Sequence, residues 1–413
     1  MSVAWISLVA LAVAVTLSIV TKVNVGVVSL AFAWIVGVYI GGLPLNTVIG
    51  TFPVQLFLTL AGVTLLFSMA SVNGTLERLA ERGVHVCRGN AGLIPVMFFF
   101  VAAGLSTIGP GNIATAALLA PMAMAVGHRA VVPPFLTALM VGNGAQAGAL
   151  SPFAPTGVIV NGIMDRIDLG GVEWSTYTNN MLAHLVVTFI AYIMFGGWRL
   201  FTRKEGTSAA ADVVKVDPFE SVHWLTLAVL VTLVTGVIVW GVQVGMAALT
   251  GAAILSLARA ADEKAAIRSM PWGVVLMVCG VTVLIGVLER TQGMDLFSDL
   301  LARVSTPATA TGVVALVVGV VSVYSSTSGV VLPAFLPTVP GLVERLGGGD
   351  ALGIASAMMV GGHLVDLSPL STIGALCIAA LPAGADPRQL FNQLLAWGLS
   401  MTVVGAVICW VLF

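Results

Sequence analysis

The sequence predicts an all-α polytopic membrane protein made of two inverted repeats, each with five crossings and one re-entrant hairpin. Three observations lead there: a composition too poor in charge for a soluble surface, apolar runs of spanning length, and a self-similarity between the two halves. Of 413 residues, 58% are hydrophobic and 8% charged, with a mean hydropathy of +1.06. A soluble domain carries about 25% charged residues. Runs of about 20 apolar residues recur along the chain, each long enough to cross the roughly 30 Å hydrocarbon core as a helix. The net charge of −1 offers nothing to nucleic acid.

Ten full crossings are predicted, at about 3–21, 24–42, 53–72, 131–163 and 180–199, then 222–240, 243–259, 272–289, 351–383 and 390–412. Val3 to Val20 reads as a spanning helix rather than a leader, because no basic residue precedes it. Two further apolar stretches, 91–127 and 308–343, are interrupted near their middles and read as re-entrant hairpins. This arrangement sends 13 of the 17 Lys and Arg to one side and leaves only Arg166, Arg290, Arg303 and Arg345 on the other. The positive-inside bias makes the first side cytoplasmic and predicts a multi-pass protein of the bacterial inner membrane with both termini outside, on the periplasmic or extracellular side. The polar segment 201–221 is the cytoplasmic linker between the halves. Cys87, Cys279, Cys377 and Cys409 have no metal-like spacing and read as small packing residues.

The halves align at a nearly constant offset. Val25-Gly26 matches Val244-Gly245, Gly62-Val63-Thr64 matches Gly280-Val281-Thr282, and Gly74 matches Gly293. Pro121 matches Pro337, and Ser151-Pro152 with Gly157 matches Ser368-Pro369 with Gly374. An odd number of crossings per repeat turns the second copy upside down. Inverted repeats with interrupted helices place a binding site near the bilayer midplane.

Four polar patches lie at that depth, where unsatisfied backbone is costly and irregular segments should line a cavity or hold an ion. The first is the hairpin-one tip, Ser106 to Thr115, in which Pro110 and two glycines stop a helix and Gly111, Asn112 and Thr115 begin the next. A helix N-terminus binds a carboxylate without Lys or Arg. The second, Asn143 to Gly157, is broken by Pro152 and Pro155; freed carbonyls with Ser151 and Thr156 suit a hard cation. The third is the hairpin-two tip, with Ser325, Ser326, Thr327 and Ser328 before Gly329. The fourth runs from Gly361 to Thr372 and holds Asp366, the one acidic residue placed inside a span, with Ser368, Ser371 and Thr372 after it. His363, three residues earlier on the same helical face, is its candidate partner and a second candidate protonation site.

At these motifs the chain resembles the ion transporter superfamily, most closely the MatC-type malonate/dicarboxylate carriers, which are related to the divalent anion/sodium symporters. The resemblance is carried by Leu60-Ala61-Gly62-Val63-Thr64-Leu65-Leu66-Phe67, by Gly109-Pro110-Gly111-Asn112-Ile113-Ala114-Thr115, and by Asp366-Leu367-Ser368-Pro369-Leu370-Ser371-Thr372. The symporters carry a Ser-Asn-Thr signature at both tips; here the first falls on Gly111-Asn112-Ile113, which retains only the Asn, and the second falls in Ser326-Thr327-Ser328-Gly329, where no Asn remains. The resemblance implies a secondary transporter for a small dicarboxylate, substrate residues Gly111, Asn112, Thr115, Ser326, Thr327 and Ser328, and a homodimer. It also implies scaffold helices at 1–90 and 222–300, and transport elements at 91–200 and 301–413 that move as an elevator. Cation ligands would come from Asn112, Ser151, Thr156, Ser328, Asp366, Ser368, Ser371 and Thr372.

Charge sets the coupling. No Lys or Arg lies in the expected core, so a dianion with Asp366 gathers negative charge that helix N-termini only partly offset. Na⁺ as coupling ion answers this. The alternatives are H⁺ coupling through Asp366 and a cation/proton antiporter of the same superfamily. No cofactor is expected. An intramembrane hydrolase lacks its constellation: a lone Ser-His pair or a single aspartate does not make a protease site.

Overall fold

The computed structural model describes residues 2–21, 23–85, 90–202, 218–382 and 384–413. Lys22, Cys87, Arg88 and most of the expected linker lie outside them. The described residues form helices without strands.

The first half contains α1 (Val3–Thr21), α2 (Val25–Trp34, prolonged by a π-helical turn to Ile40), α3 (Leu45–Ile49), α4 (Val54–Val72) and α5 (Thr75–His85). It continues with α6 (Leu93–Ile108), α7 (Gly111–Arg129), α8 (Pro134–Ala147), α9 (Pro155–Arg166) and α10 (Glu173–Met194). The second half contains α11 (Ser221–Trp240), α12 (Val244–Leu257), α13 (Glu263–Ser269), α14 (Trp272–Arg290), α15 (Gly293–Arg303) and α16 (Ala310–Ser322). A π-helical turn at Thr327–Val331 leads into α17 (Leu332–Phe335) and, through a 3₁₀ turn, α18 (Val339–Leu346); α19 (Ala351–Val365), α20 (Thr372–Ala379) and α21 (Pro387–Leu412) complete it. Six helical stretches among the described residues are long and apolar enough to cross a membrane, and five shorter apolar ones accompany them. Hydropathy windows of spanning length average the short helices α3, α5, α13 and α15 into their neighbours, so these lie outside the predicted crossings.

The halves are joined by reciprocal contacts. α2 packs on α14, where Gly26 and Gly280 meet backbone to backbone. α4 packs on α12 in the same way, with Gly62 against the Gly245 carbonyl and Gly245 against Thr59. A β-carbon at any of the four glycines would collide with the facing helix. In lipid, where apolar burial does not drive helices together, such close approach supplies the packing. Polar caps repeat the exchange. Asn24 caps α2 by accepting from Gly26 N at 2.9 Å and donates to the Gly273 carbonyl at 2.7 Å. Gln243 caps α12 by accepting from Met246 N at 2.6 Å and donates to Thr59 Oγ1 at 2.7 Å. Each thus satisfies an orphan helix-start N–H. Asn73 donates to Thr226 Oγ1 at 2.8 Å, and Thr291 donates to Ser7 Oγ at the same distance.

The remaining helices are interrupted at glycine, proline and serine-rich positions. α6 gives way to α7 at Gly109 (φ 149°) and Gly111 (φ 79°), backbone conformations that glycine alone adopts readily. Gly109 is also pressed against the Phe67 ring of α4, so any side chain there would displace it. α8 ends at Ala147, and a loop through Ser151 and Pro152 leads to α9, with Pro155 as its first residue. α19 ends at Asp366, and α20 starts after Ser371.

Candidate functional site

A cavity of about 260 Å³ lies where the two tips and the α9 start converge. Its wall includes Gly111, Asn112 and Thr115 from the first turns of α7, Pro155 and Thr156 from the first turn of α9, and Ser326 and Ser328 around the start of the helical run at Thr327. Thr64, Phe67, Ser68 and Ser71 of α4 close one side, and Pro271 with Val274 close another. Among the described residues, no Lys, Arg, Asp or Glu appears in this wall. Three helix starts therefore present first-turn N–H groups and partial positive charge, together with hydroxyls, to an otherwise apolar space. The Thr115 hydroxyl is buried at this wall and has no hydrogen-bond partner among the described residues. Buried polar atoms are normally paired, so the orphan points to a ligand or water partner.

The tips touch through Thr156. Its Oγ1 donates within reach of Ser328 Oγ, at 3.2 Å, and of Asn112 Oδ1, at 3.5 Å. Asn112 accepts from Ile113 N at 3.0 Å and donates through Nδ2 to Gln146 Oε1 at 2.8 Å. Gln146 Nε2 in turn donates to Asp366 Oδ2 at 2.7 Å. Asn112, Gln146 and Asp366 are all buried. The site thus joins the α6–α7 break of one half, through one amide, to the acid of the other.

The other expected site residues sit one layer behind the cavity. Ser151 donates to the Thr107 carbonyl at 2.7 Å, satisfying a carbonyl at the end of α6 and pinning the α8–α9 loop against it. Ser371 donates to the Asp366 carbonyl at 2.5 Å and lies 2.8 Å from that of Ser368, closing the equivalent loop. Ser368 Oγ accepts from Leu370 N at 3.3 Å, and Thr372 opens α20. Thr327 faces away from the cavity and donates to the Gly362 carbonyl at 3.3 Å. The expected His363–Asp366 pairing does not form. His363 directs Nδ1 to the Met359 carbonyl at 2.8 Å, whereas Asp366, at the C-cap where the helix ends, reaches Gln146 instead. Asp366 has left the helical register in which i and i+3 share a face.

Gln146 and Asn180 received no role from the sequence. Asn180 of α10 donates to the Gln146 carbonyl at 2.8 Å, holding the end of α8. The available signal was an uncharged Gln at membrane depth, one turn before a helix break. A second cavity, about 730 Å³, lies at the opposite end of α9, between Gln55 and Thr59 of α4, Asp165, Arg166 and Trp174, and Gln243.

Comparisons with known proteins agree with this architecture. Residues 1–149 match the family described as dicarboxylate carrier protein MatC N-terminus. Two curated relatives, the uncharacterized transporters MT2759 and Rv2685 of Mycobacterium tuberculosis strains, are each 25% identical over 261 residues, covering 60% of this chain and 58% of theirs. The chain thus aligns with little more than half the length of these relatives. Among solved structures, the Alcanivorax borkumensis YdaH transporter superposes with a TM-score of 0.55 at 14% identity, covering 88% of this chain and 87% of its own. Neisseria gonorrhoeae MtrF, described as illuminating a class of antimetabolite efflux pumps, superposes with a TM-score of 0.56 at 12% identity, covering 88% and 82%. The matches are to carriers and not to enzymes, and the chain has the fold of a multi-pass membrane transporter.

Proposed function

We propose that the protein is a secondary carrier that moves a small dicarboxylate across the membrane, with Na⁺ as the coupling ion. The observation that carries this reading is the uncharged cavity bounded by three helix starts drawn from both halves. Its volume of about 260 Å³ falls below the roughly 300–1,000 Å³ of pockets for drug-sized ligands, which favours a compact substrate. Helix starts bind carboxylates without fixed cations, and each contributes about half a positive charge. A dianion is left under-neutralised by such a wall, so a cation must travel with it. Asn112 Oδ1, Thr156 and Ser328 supply oxygen ligands at the point where the tips meet. Residues 1–149 match a dicarboxylate carrier family, and with the MatC-type resemblance of the sequence motifs this makes malonate the first substrate to test.

The reciprocal helix contacts support an arrangement as two inverted repeats, with α1, α2, α4 and their counterparts as scaffold and the interrupted helices as the moving part. The two cavities at opposite ends of α9 suit access from opposite sides. A homodimer and outward-facing termini belong to the same reading. A second reading, H⁺ coupling, draws on Asp366, a buried carboxyl hydrogen-bonded to the chain that ends at the tip. Uptake of radiolabelled malonate into proteoliposomes separates the two. Uptake driven by an inward sodium gradient is expected. Uptake indifferent to sodium but driven by a pH gradient would replace Na⁺ by H⁺, and absence of uptake with either gradient would remove the dicarboxylate reading.

A further inference from the structure

The hydroxyls that line the cavity differ in what they can still offer. Each has a single hydrogen to donate. Within a helix the usual acceptor for that hydrogen is the carbonyl three or four residues back. α4 follows this habit at Thr59, which donates to the Gln55 carbonyl at 2.9 Å, and at Thr64, which donates to the Leu60 carbonyl at 2.7 Å. Ser269 likewise donates to the Ala266 carbonyl at 2.9 Å. Thr64 and Ser269 both line the cavity. With their hydrogens committed, they can only accept there.

Ser68 departs from the habit. It lies one turn beyond Thr64 on α4 and lines the same cavity. It is 8% exposed, yet its hydroxyl has no hydrogen-bond partner among the described residues. Helix spacing offers it the Thr64 carbonyl, and it does not take it. Thr115 of α7 is in the same condition, 1% exposed and without a partner among the described residues. Two buried hydroxyls, from two helices of the wall, thus keep hydrogens for an acceptor inside the cavity. The rotation of α4 that aims Ser68 there is set next door, where the Phe67 ring presses on Gly109 at the α6–α7 break.

The sign of the wall decides what that acceptor is. Its three helix starts carry partial positive charge, and no charged side chain among the described residues offsets them. A cation would take hydroxyl lone pairs and leave the Ser68 hydrogen to the Thr64 carbonyl, as Thr64 itself is arranged. An anionic oxygen takes the hydrogen directly.

We infer that Ser68 is a substrate-binding residue, the donor by which α4 holds a carboxylate of the transported anion. This rests on the reading of the cavity as the substrate site and adds a wall to it. The residues expected from the sequence stand at helix breaks, whereas Ser68 lies inside an unbroken apolar helix. Two carboxylates then need not both reach a tip: one meets the helix starts and the other meets α4. Ser71, one turn further along, is exposed and also lines the cavity, so the hydroxyls of α4 run from the buried interior to an open rim.

The test uses the full chain in lipid nanodiscs, with two readouts. The first is malonate binding. Ser68→Ala should weaken it about tenfold or more, as loss of a hydrogen bond to a charged ligand implies. Its melting temperature without malonate should not fall, because the hydroxyl has no partner in the empty protein to lose. The second is thiol labelling. Ser68→Cys exchanges oxygen for sulfur, and a small water-soluble methanethiosulfonate should label it beyond the wild-type level, and more slowly in saturating malonate. Malonate affinity of Ser68→Ala within about twofold of wild type, labelling of Ser68→Cys no greater than wild type, or labelling that malonate does not slow overturns the assignment. A wild type that binds no malonate defeats the dicarboxylate reading instead. The same labelling in sulfate, an inorganic dianion, then decides whether Ser68 meets an anion: slowing supports it, and an unchanged rate overturns it.

Discussion

Thr156→Val is the most informative single substitution at the cavity. Valine keeps the β-branched shape at the second position of α9 and removes only the hydroxyl. That hydroxyl lies 3.2 Å from Ser328 Oγ and 3.5 Å from Asn112 Oδ1. The second distance is at the limit of a hydrogen bond, so one neutral bond is lost in the empty protein, worth about 1 kcal/mol. The fold should survive with a small fall in melting temperature. In the loaded state the same oxygen meets an ion or a carboxylate, where a hydrogen bond contributes about 1.5–3 kcal/mol, or roughly 10- to 150-fold in affinity. The assay is malonate uptake by proteoliposomes, titrated separately in malonate and in sodium, beside a melting curve of the purified protein. At least a tenfold rise in one of the two half-saturation concentrations is expected. If both stay within about twofold of wild type while the protein is folded, Thr156 does not face the transported species, and the convergence of the tips is not the site.

Three further outcomes follow from the packing and the site. Gly62→Ala places a methyl against the Gly245 carbonyl and should cost about 1–3 kcal/mol, seen as a clear drop in melting temperature, whereas Gly104→Ala, which opens onto free space, should be neutral or stabilising by up to about 1 kcal/mol. Gly109→Ala combines a φ of 149° with overlap of the Phe67 ring and should abolish malonate binding; Phe67→Ala in the same chain should recover protein yield by relieving the overlap. Arg345→Ala removes the ion pairs to Asp295 and Asp299 that tie α15 to α18; because these carboxylates are largely exposed, the loss should stay near or below about 1 kcal/mol and shrink at high salt.

What the sequence determined by itself is local. Hydropathy placed the long helices, and glycine and proline placed the breaks at Gly109 and Pro152, because φ > 0 and a missing N–H act within a turn of the residue that causes them; a run of four hydroxyls marked the break at Ser325–Ser328. Asn112, Thr115, Thr156 and Ser328 were legible as site candidates for the same reason: polar groups beside a break at membrane depth. Tertiary structure decided which of them meet. Thr156 and Ser328 are 172 residues apart, and Gln146 and Asp366 are 220 apart, separations over which no periodicity carries information. It also decided against the His363–Asp366 pair, since helical spacing holds only while the helix lasts and α19 ends at Asp366. The reciprocal seating of Gly26 on α14 and of Gly62 on α12 belongs with these. The sequence shows that the glycines recur, but only the packed helices show that their bare backbones let the two halves approach.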